Sequence, residues 1–138
     1  MCGDGINKKN IMNLVNSFGL ESVVRFLGNV NNINEILQAM DVFIMPSFHE
    51  GFPFALIEAQ ASGLPCLISD TISKETDLLP YNIFMSLAES DYSWSNQLEK
   101  LRSNVYDRSI GCLLLRNKGY DSKDYCRFVI DKLKLLEI

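Results

Sequence analysis

The chain has 138 residues, which is enough for one domain at most. Its hydrophobic fraction of 47% and its charged fraction of 22% are ordinary for a soluble globular protein. The formal net charge of −4 argues against a nucleic-acid-binding protein, because phosphate binding needs clustered Lys and Arg. No apolar run approaches the ~18 residues of a membrane-spanning helix, so we expect a soluble chain.

The cysteines give no sign of a disulfide framework or of a zinc site. They lie far apart in the sequence, and none forms a Cys-x-x-Cys pair. The four are Cys2, Cys66, Cys112 and Cys126. We therefore expect reduced thiols, a cytoplasmic location and no metal site.

Apolar blocks alternate with helical periods along the chain. The elements predicted in chain order are a helix over 10–18, a strand over 23–27, a helix over 34–40, a strand over 42–45, a helix over 53–62, a strand over 66–68, a weaker strand over 83–85, and helices over 94–102 and 121–136. Residues 104–117 are expected to form a turn region.

Three local signals support these boundaries. Gly19 and Gly63 each follow a helical period, where glycine commonly ends a helix. Pro53 stands near the first position of its helix, where a missing N–H is tolerated. The strand over 42–45 is entirely apolar, which predicts burial on both of its faces.

The alternation of strands and helices predicts an α/β fold with a Rossmann-like, doubly wound parallel sheet. Ligands of such sheets bind beyond the carboxyl ends of the strands. Four segments are expected at that rim, namely residues 3–5, 28–30, 47–54 and 69–70.

Two glutamates bracket the start of the helix over 53–62. Glu50 precedes the helix, where backbone N–H groups and the helix dipole favour a phosphate, and Gly51 lets a ligand approach the backbone. Glu58 stands in an apolar run, where burying an unpaired charge costs several kcal/mol. It lies ~7.5 Å into the helix along the axis. The residues predict a site for an anionic ligand that carries hydroxyl groups.

The sequence Glu50-Gly51-Phe52 followed by Glu58, with seven residues between the glutamates, resembles the motif of retaining nucleotide-sugar glycosyltransferases of the GT-B fold. Within these it is most similar to the bacterial group that builds capsular, exopolysaccharide and lipopolysaccharide glycans. The other segments that resemble this group are residues 3–5, 26–28, 41–47, 63–70, 69–75 and 119–121.

The resemblance implies a role for each matching residue. Glu50 is implied as the catalytic residue, which bonds hydroxyls of the transferred sugar and stabilises an oxocarbenium-like transition state. The remaining implied contacts are Gly3, Gly51, Phe52 and Phe54 with the donor sugar and diphosphate, Glu58 with the ribose, and Gly28, Asn29 and Val30 with the nucleobase.

The implied reaction transfers a sugar, with retained anomeric configuration, from a UDP- or GDP-linked donor to a glycan or lipid-linked acceptor. This hexosyltransferase-type activity needs no metal or cofactor in this group. The charge on the leaving diphosphate is met by backbone amides and basic groups. The full-length enzyme is expected in the cytoplasm, peripheral to the inner membrane.

The chain departs from the family pattern in two ways. Pro53 stands where many members have a second glycine, which removes one amide donor. Only Met1 and Cys2 precede Gly3, so residues 1–138 are expected to be part of a donor-binding domain. An N-terminal acceptor domain, the first strands of the sheet and a basic clamp for the diphosphate are expected to be missing, and these residues alone are expected to be inactive.

Alternative interpretations remain at this stage. The chain could be a stand-alone nucleotide-sugar-binding module that acts with a separate acceptor subunit, or, more remotely, a signalling-type α/β domain without affinity for sugar nucleotides. The residues that also have a structural interpretation are Asp4 as a turn residue, His49 as a loop side chain, Glu50 as a turn residue, Glu58 as a surface-facing glutamate, Asp70 as a strand-end cap, and Glu75 and Asp77 as solvated loop charges.

Overall fold

The computed structural model describes residue 1 and residues 4–120. Contacts divide the chain into two compact units, Met1–Ile33 and Asn34–Ile138, and each is described by itself. The predicted helix over 121–136 lies outside the described residues. No helix of the described part is both long enough and apolar enough to cross a membrane.

The first unit contains α1, Lys8–Ser17, which Gly19 follows with a positive φ of 65°. The predicted strand over 23–27 is wrong, because the N–H groups of Val23 and Val24 both donate to the carbonyl of Leu20 and close a turn. Beyond this turn, Leu27 N donates to Met1 O at 2.8 Å, and the amino group of Met1 donates to the Arg25 carbonyl at 2.7 Å. The remaining segment forms no regular strand.

The second unit alternates helices and strands. Its regular elements are α2 (Ile33–Gln38, which begins at the boundary), β1 (Phe43–Met45), α3 (Phe54–Ala61), β2 (Cys66–Ser69), a 3-10 turn (Lys74–Thr76), β3 (Ile83–Met85), α4 (Asp91–Ser103) and α5 (Ile110–Asn117). Each helix and strand predicted between residues 34 and 103 is confirmed within a few residues. Helix α5 lies in the predicted turn region, so that prediction is wrong.

The three strands form a parallel sheet in the order β1-β2-β3. Strand β2 is buried at every position, and both α3 and α4 pack against it. Since neighbouring residues of a strand point to opposite faces, burial of all four residues means that both faces of β2 are covered. This confirms the predicted α/β class with a parallel sheet.

Strand β1 is less buried than its sequence predicts. Ile44 is 46% exposed, although every residue of the strand is apolar. Among residues 34–120, β1 pairs only with β2 and leaves its other edge open. The prediction of burial on both faces is therefore wrong for β1, and β2 is the strand that is buried at every position.

Gln60 is a fully buried polar residue on the inner face of α3. Its amide nitrogen donates to the carbonyls of Thr76 at 2.9 Å and Leu56 at 3.4 Å. Its amide oxygen accepts from Leu78 N at 2.9 Å and from Asn82 Nδ2 at 2.7 Å. The side chain therefore joins α3 to the segment between the 3-10 turn and β3.

Arg108 joins α2 and α3 to the segment before α5. A guanidinium has five N–H donors, and each of the five points at a backbone carbonyl here. The acceptors are Leu37, Gln38, Met40 and Ser62, at 2.9 to 3.2 Å, with Ser62 accepting two bonds. Since the last carbonyls of a helix lack intrahelical donors, Arg108 supplies the donors that these two helix ends need.

Helices α3 and α5 meet through two glycines. Gly63 has a φ of 69°, and a Cβ on it would overlap the backbone of Arg108. A Cβ on Gly111 would overlap the backbone of Gln60 and Gly63. Side chains larger than hydrogen are therefore excluded on both sides of the contact.

Two described cysteines are free: Cys66 is buried and Cys112 is exposed. Burial raises the pKa of the Cys66 thiol well above its ordinary value, and the negative charge of Asp77 adds to the shift. Because the thiolate is the reactive form, the Cys66 thiol is protected in the folded chain.

Replacing Gly111 with alanine should destabilise the second unit. The added Cβ meets backbone that cannot move aside, so we expect Gly111→Ala to lower the free energy of unfolding by about 1–3 kcal/mol. Urea unfolding followed by the fluorescence of Trp94, the only tryptophan, measures this change. Gly51→Ala is the control, because nothing lies within 4 Å of a Cβ at that position. Equal midpoints for Gly111→Ala and the wild type would contradict the close contact.

Candidate functional site

The predicted site residues of the second unit lie where β1 and β2 end. Strand β1 ends at Met45, and a loop then leads to Pro53, the N-cap of α3. Strand β2 ends at Ser69. Because parallel strands place their carboxyl ends at the same edge of the sheet, the loop and the end of β2 are neighbours at the rim.

Glu50 is held by a hydroxyl group of its own loop. The hydroxyl of Ser47 donates to Glu50 Oε1 at 2.8 Å, and Glu50 is half-buried. The carbonyl of Ser47 accepts hydrogen bonds from Ser69 Oγ and, at 2.7 Å, from Thr71 Oγ1. The loop that carries the carboxylate is thus fastened to the end of β2.

The backbone beside Glu50 is open. Nothing lies within 4 Å of a Cβ built on Gly51, and its φ is not positive, so neither packing nor conformation requires glycine there. The N–H groups of Gly51 and Phe52 have no acceptor among the described residues. The N–H of Phe54 donates to the carbonyl of Phe52 at 3.0 Å. Two amides without a protein acceptor, on exposed residues, therefore stand next to a carboxylate at the start of α3.

Glu58 lies on the exposed face of α3. The expectation that its charge would be buried in an apolar environment is therefore wrong. Successive residues of a helix are rotated by 100° about its axis, so Glu58 and the buried Gln60 point to opposite sides. The carboxylate of Glu58 is open to a ligand, and its position needs no ligand to be stable.

Three aromatic rings pack together around the start of α3. The centroid of Phe52 lies 4.7 Å from that of Phe54, in an edge-to-face arrangement. On its other side Phe52 stacks with Tyr120, at 6.3 Å between centroids and 24° between planes. The position of Tyr120 is set by α5, because its N–H donates to Leu115 O across the helix end at Gly119. Helix α5 thus supports both ends of α3.

The predicted site residues of the first unit are described separately. Gly28 has a φ of 64°, and a Cβ on it would lie 4.0 Å from the ammonium nitrogen of Lys8. That ammonium also lies 3.5 Å from Asp4 Oδ1, so Asp4 is an ion-pair partner. The interpretation of Asp4 as a turn residue is not supported, because the turn before α1 begins at Gly5, whose carbonyl accepts from Lys8 N. Asn29 is exposed and Val30 is half-buried. Gly3 lies outside the described residues.

The residues with structural interpretations divide into two groups. His49, Asp70 and Glu75 are exposed. Asp70 follows the last residue of β2, but its side chain makes no hydrogen bond to the described residues, and Glu75 lies in the 3-10 turn. Asp77 is half-buried and accepts from Asn82 Nδ2 at 2.9 Å, so the expectation of a solvated loop charge is wrong for it.

The sequence profile of a protein family described as "Glycosyl transferases group 1" matches residues 1–102 of the chain. The chain belongs to this family. It is related to bacterial glycosyltransferases of polysaccharide biosynthesis, as the resemblance predicted, and the comparisons below concern individual members.

Two relatives and one solved structure illustrate the relationship. EpsF of Bacillus subtilis, which carries the name of a glycosyltransferase, is 41% identical over 101 residues, 72% of this chain and 26% of EpsF. An Escherichia coli protein named UDP-Gal:alpha-D-GlcNAc-diphosphoundecaprenol alpha-1,3-galactosyltransferase is 42% identical over 69 residues, 49% of this chain and 18% of that protein.

The structure of the lipopolysaccharide outer core galactosyltransferase WaaB, in its apo form, superposes with a TM-score of 0.73 at 22% identity. The superposition covers 95% of this chain and 40% of that of WaaB. The superposition shows that this chain has a GT-B-type fold, which corresponds to part of the length of WaaB. The chain thus spans well under half of each of these proteins.

Sequence reasoning did not identify three residues that support the site. The sequence indicates Ser69 only as part of a strand end and of a family-like segment, and Thr71 and Tyr120 only as parts of family-like segments. The clustering of hydroxyl residues after β1 and β2 is a signal in the sequence, because both strands end at one edge of the sheet. Tyr120 offered no comparable signal, since its contact with Phe52 depends on α5, which was not predicted.

The stack of Phe52 on Tyr120 should contribute to stability as a pair. Aromatic pairs are worth about 0.5–1.5 kcal/mol beyond the area they bury. We therefore expect a coupling free energy of this size from a double-mutant cycle of Phe52→Leu and Tyr120→Leu, measured by urea unfolding. Phe48 is 84% exposed, so a cycle of Phe48→Leu with Tyr120→Leu is the matched control and should give a coupling near zero. Equal coupling in both cycles would contradict a specific stack.

Proposed function

We propose that this chain is the donor-binding part of a retaining glycosyltransferase, which transfers a sugar from a nucleoside diphosphate sugar to a glycan or lipid-linked acceptor in surface polysaccharide synthesis. Membership of the glycosyl transferases group 1 family supports the class of reaction. The observation that carries the proposal is the Glu50 carboxylate, held by Ser47 beside the exposed amides of Gly51 and Phe52, which have no protein acceptor.

The two amides suit the diphosphate of the donor. They precede α3, where the helix dipole also favours a negative charge. Glycine at position 51 leaves room for phosphate or sugar oxygens to reach the backbone, since no protein atom occupies that space. A ligand that bonds the N–H of Phe54 has to displace the carbonyl of Phe52 first. We therefore assign the main diphosphate contacts to Gly51 and Phe52. The resemblance to the family assigns Phe54 and Gly3 to the donor sugar and diphosphate as well.

The two glutamates receive different parts of the donor. We assign Glu50 to hydroxyls of the transferred sugar, because it stands at the rim and accepts a bond from Ser47 at only one of its two oxygens. Glu58 is exposed on α3 and is assigned to the ribose hydroxyls. Gly28, Asn29 and Val30 of the first unit are assigned to the nucleobase.

In the proposed reaction the bond between the anomeric carbon and the diphosphate oxygen breaks, and the diphosphate leaves with the bonding electrons. An acceptor hydroxyl attacks the anomeric carbon from the same face, which retains the configuration, and passes its proton to the oxygen of the departing diphosphate. The Glu50 carboxylate stabilises the positive charge that develops on the sugar, and the amides stabilise the diphosphate. The proposed roles require no metal ion.

The name of the Escherichia coli relative suggests the kind of substrates. That protein is named for a UDP-linked galactose donor and a diphosphoundecaprenol-linked acceptor. We extend only the classes to this chain: a UDP- or GDP-linked sugar as donor, and a glycan or a lipid-linked sugar as acceptor. A lipid-linked acceptor would place the whole enzyme at the cytoplasmic surface of the inner membrane.

The roles of the glutamates can be separated by binding measurements. Hydrogen bonds to a charged group are worth about 1.5–3 kcal/mol, so Glu58→Ala should weaken binding of UDP or GDP by about 10- to 150-fold. Glu50→Ala should leave the affinity for the bare nucleoside diphosphate nearly unchanged and lower turnover in the complete enzyme, because its partner is the transferred sugar. Isothermal titration with UDP and GDP, and turnover with the intact donor, measure the two effects.

Glu75→Ala is the matched control, since it removes an exposed carboxylate outside the proposed site. It should change neither quantity. A loss of nucleoside diphosphate affinity in Glu50→Ala but not in Glu58→Ala would reverse the two roles. If neither variant changed binding or turnover, the site assignment would be wrong.

The 138 residues by themselves should not transfer sugar, because the proposal gives them only donor contacts. Incubation of the purified chain with UDP- or GDP-linked sugars and an acceptor should release no nucleoside diphosphate above background. Turnover by this chain alone would contradict the assignment of acceptor binding to another part.

Acceptor binding could belong to the same polypeptide or, in the alternative proposal, to a separate subunit. The DNA upstream of the Met1 codon distinguishes the two. An in-frame acceptor domain supports a single enzyme, and a stop codon beside a partner gene supports a stand-alone donor-binding module.

A further inference from the structure

Three hydroxyl groups meet at the carboxyl ends of β1 and β2. Ser47 Oγ bonds the Glu50 carboxylate at 2.8 Å, and the Ser47 carbonyl is approached by Ser69 Oγ and Thr71 Oγ1. We propose that Ser69 and Thr71 are positioning residues for the carboxylate of Glu50, which they orient through Ser47. The proposal rests on the proposed function for the role of Glu50, but the orientation itself is a property of the unliganded chain.

The direction of the Ser47 bond is fixed by the chemistry of its partner. An ionised carboxylate accepts hydrogen bonds and donates none. The single hydroxyl hydrogen of Ser47 therefore points at Glu50 and is not available to Ser69 or Thr71. Only the carbonyl of Ser47 remains to fasten this residue to β2.

The hydrogens of Ser69 and Thr71 are too few for all of their contacts. Their oxygens lie 2.8 Å apart, and both also lie within hydrogen-bond distance of the Ser47 carbonyl. Two hydrogens can make only two of these three bonds at a time. Whichever two of these bonds form, at least one of the two hydroxyl hydrogens is donated to the carbonyl oxygen of Ser47. Either hydroxyl can therefore keep part of the bonding to the Ser47 carbonyl when the other is lost. Removing both should change the orientation of the Glu50 carboxylate by more than the sum of the two single changes.

The two hydroxyls differ in exposure. Ser69 is fully buried at the end of β2, where an unpaired hydroxyl is costly, so it is bound to its partners. Thr71 is exposed. Valine at position 71 keeps the branched shape and removes only the hydroxyl, which makes Thr71→Val a mild change to the fold.

Nuclear magnetic resonance of the 138-residue chain, labelled with 13C at the glutamate carboxyls, tests the orientation without a ligand. The Glu50 signal is identified by its loss in Glu50→Gln. We expect it to move in Ser47→Ala and in the double variant Ser69→Ala/Thr71→Val, and to move less in Thr71→Val. It should not move in Thr71→Ser, or in Ser73→Ala, whose hydroxyl bonds Glu75 N instead.

Binding of two donor pairs, UDP with UDP-galactose and GDP with GDP-mannose, tests the function of the orientation. For whichever pair binds, the measured quantity is the ratio of the affinity for the sugar nucleotide to the affinity for the bare nucleotide. This ratio should fall in the double variant by as much as it falls in Glu50→Gln. In the Glu50→Gln background the double variant should cause no further loss. A role in fold stability alone would instead weaken both ligands equally.

The outcomes separate the two proposals. An unmoved Glu50 signal in a folded double variant, or equal weakening of both ligands, would overturn the positioning role. If Ser69→Ala prevents folding, Thr71→Val decides: a Glu50 signal identical to that of the wild type overturns the role, and a shift that Thr71→Ser does not show supports it. Absence of all nucleotide binding by the wild-type chain would overturn the proposed function, while the carboxyl signal would still decide the orientation.

Discussion

The buried amide of Gln60 is the interaction on which the second unit depends. A polar group without partners in an apolar interior costs about 1–3 kcal/mol, and here both ends of the amide are satisfied by the segment that precedes β3. The Gln60 amide can form all of these bonds together in only one position of α3 relative to that segment. Because the loop with Glu50 leads into α3, the orientation of the helix also sets the direction in which the loop leaves the sheet.

The polar residues of α3 show where sequence reasoning succeeds and where it fails. Glu58 attracted attention because a charge stood among apolar residues, yet it is exposed, and the buried polar residue is Gln60. Side chains two positions apart point to opposite faces of a helix, and a helix that is apolar on nearly all sides does not reveal which face is inward. The resemblance to known glycosyltransferases, not the burial argument, is what supports a role for Glu58.

Most of the second unit could be predicted because the apolar pattern of each segment and its flanking residues indicate the same element. The three strands are short apolar runs with turn residues after them, and α3 is bounded by Pro53 and Gly63. Helix α5 was missed because its stability comes from close contact with α3 at Gly111, which no local pattern reveals. The strand over 23–27 is predicted as an apolar block between helical periods, but a turn that starts at Leu20 uses the amides of Val23 and Val24 that a strand would need.

The contacts of Arg108 also determine how the junction of α2 and α3 with the segment before α5 responds to pH. All five N–H groups of this guanidinium bind neutral carbonyls and none binds a carboxylate. Neither a guanidinium nor a peptide carbonyl titrates between acidic and mildly alkaline pH. Acid therefore removes no partner from this junction, unlike an ion pair whose carboxylate becomes protonated. The carboxyl-terminal ends of α2 and α3 should stay bound to Arg108 across a pH range in which surface ion pairs, such as that of Arg102 with Glu99, are lost.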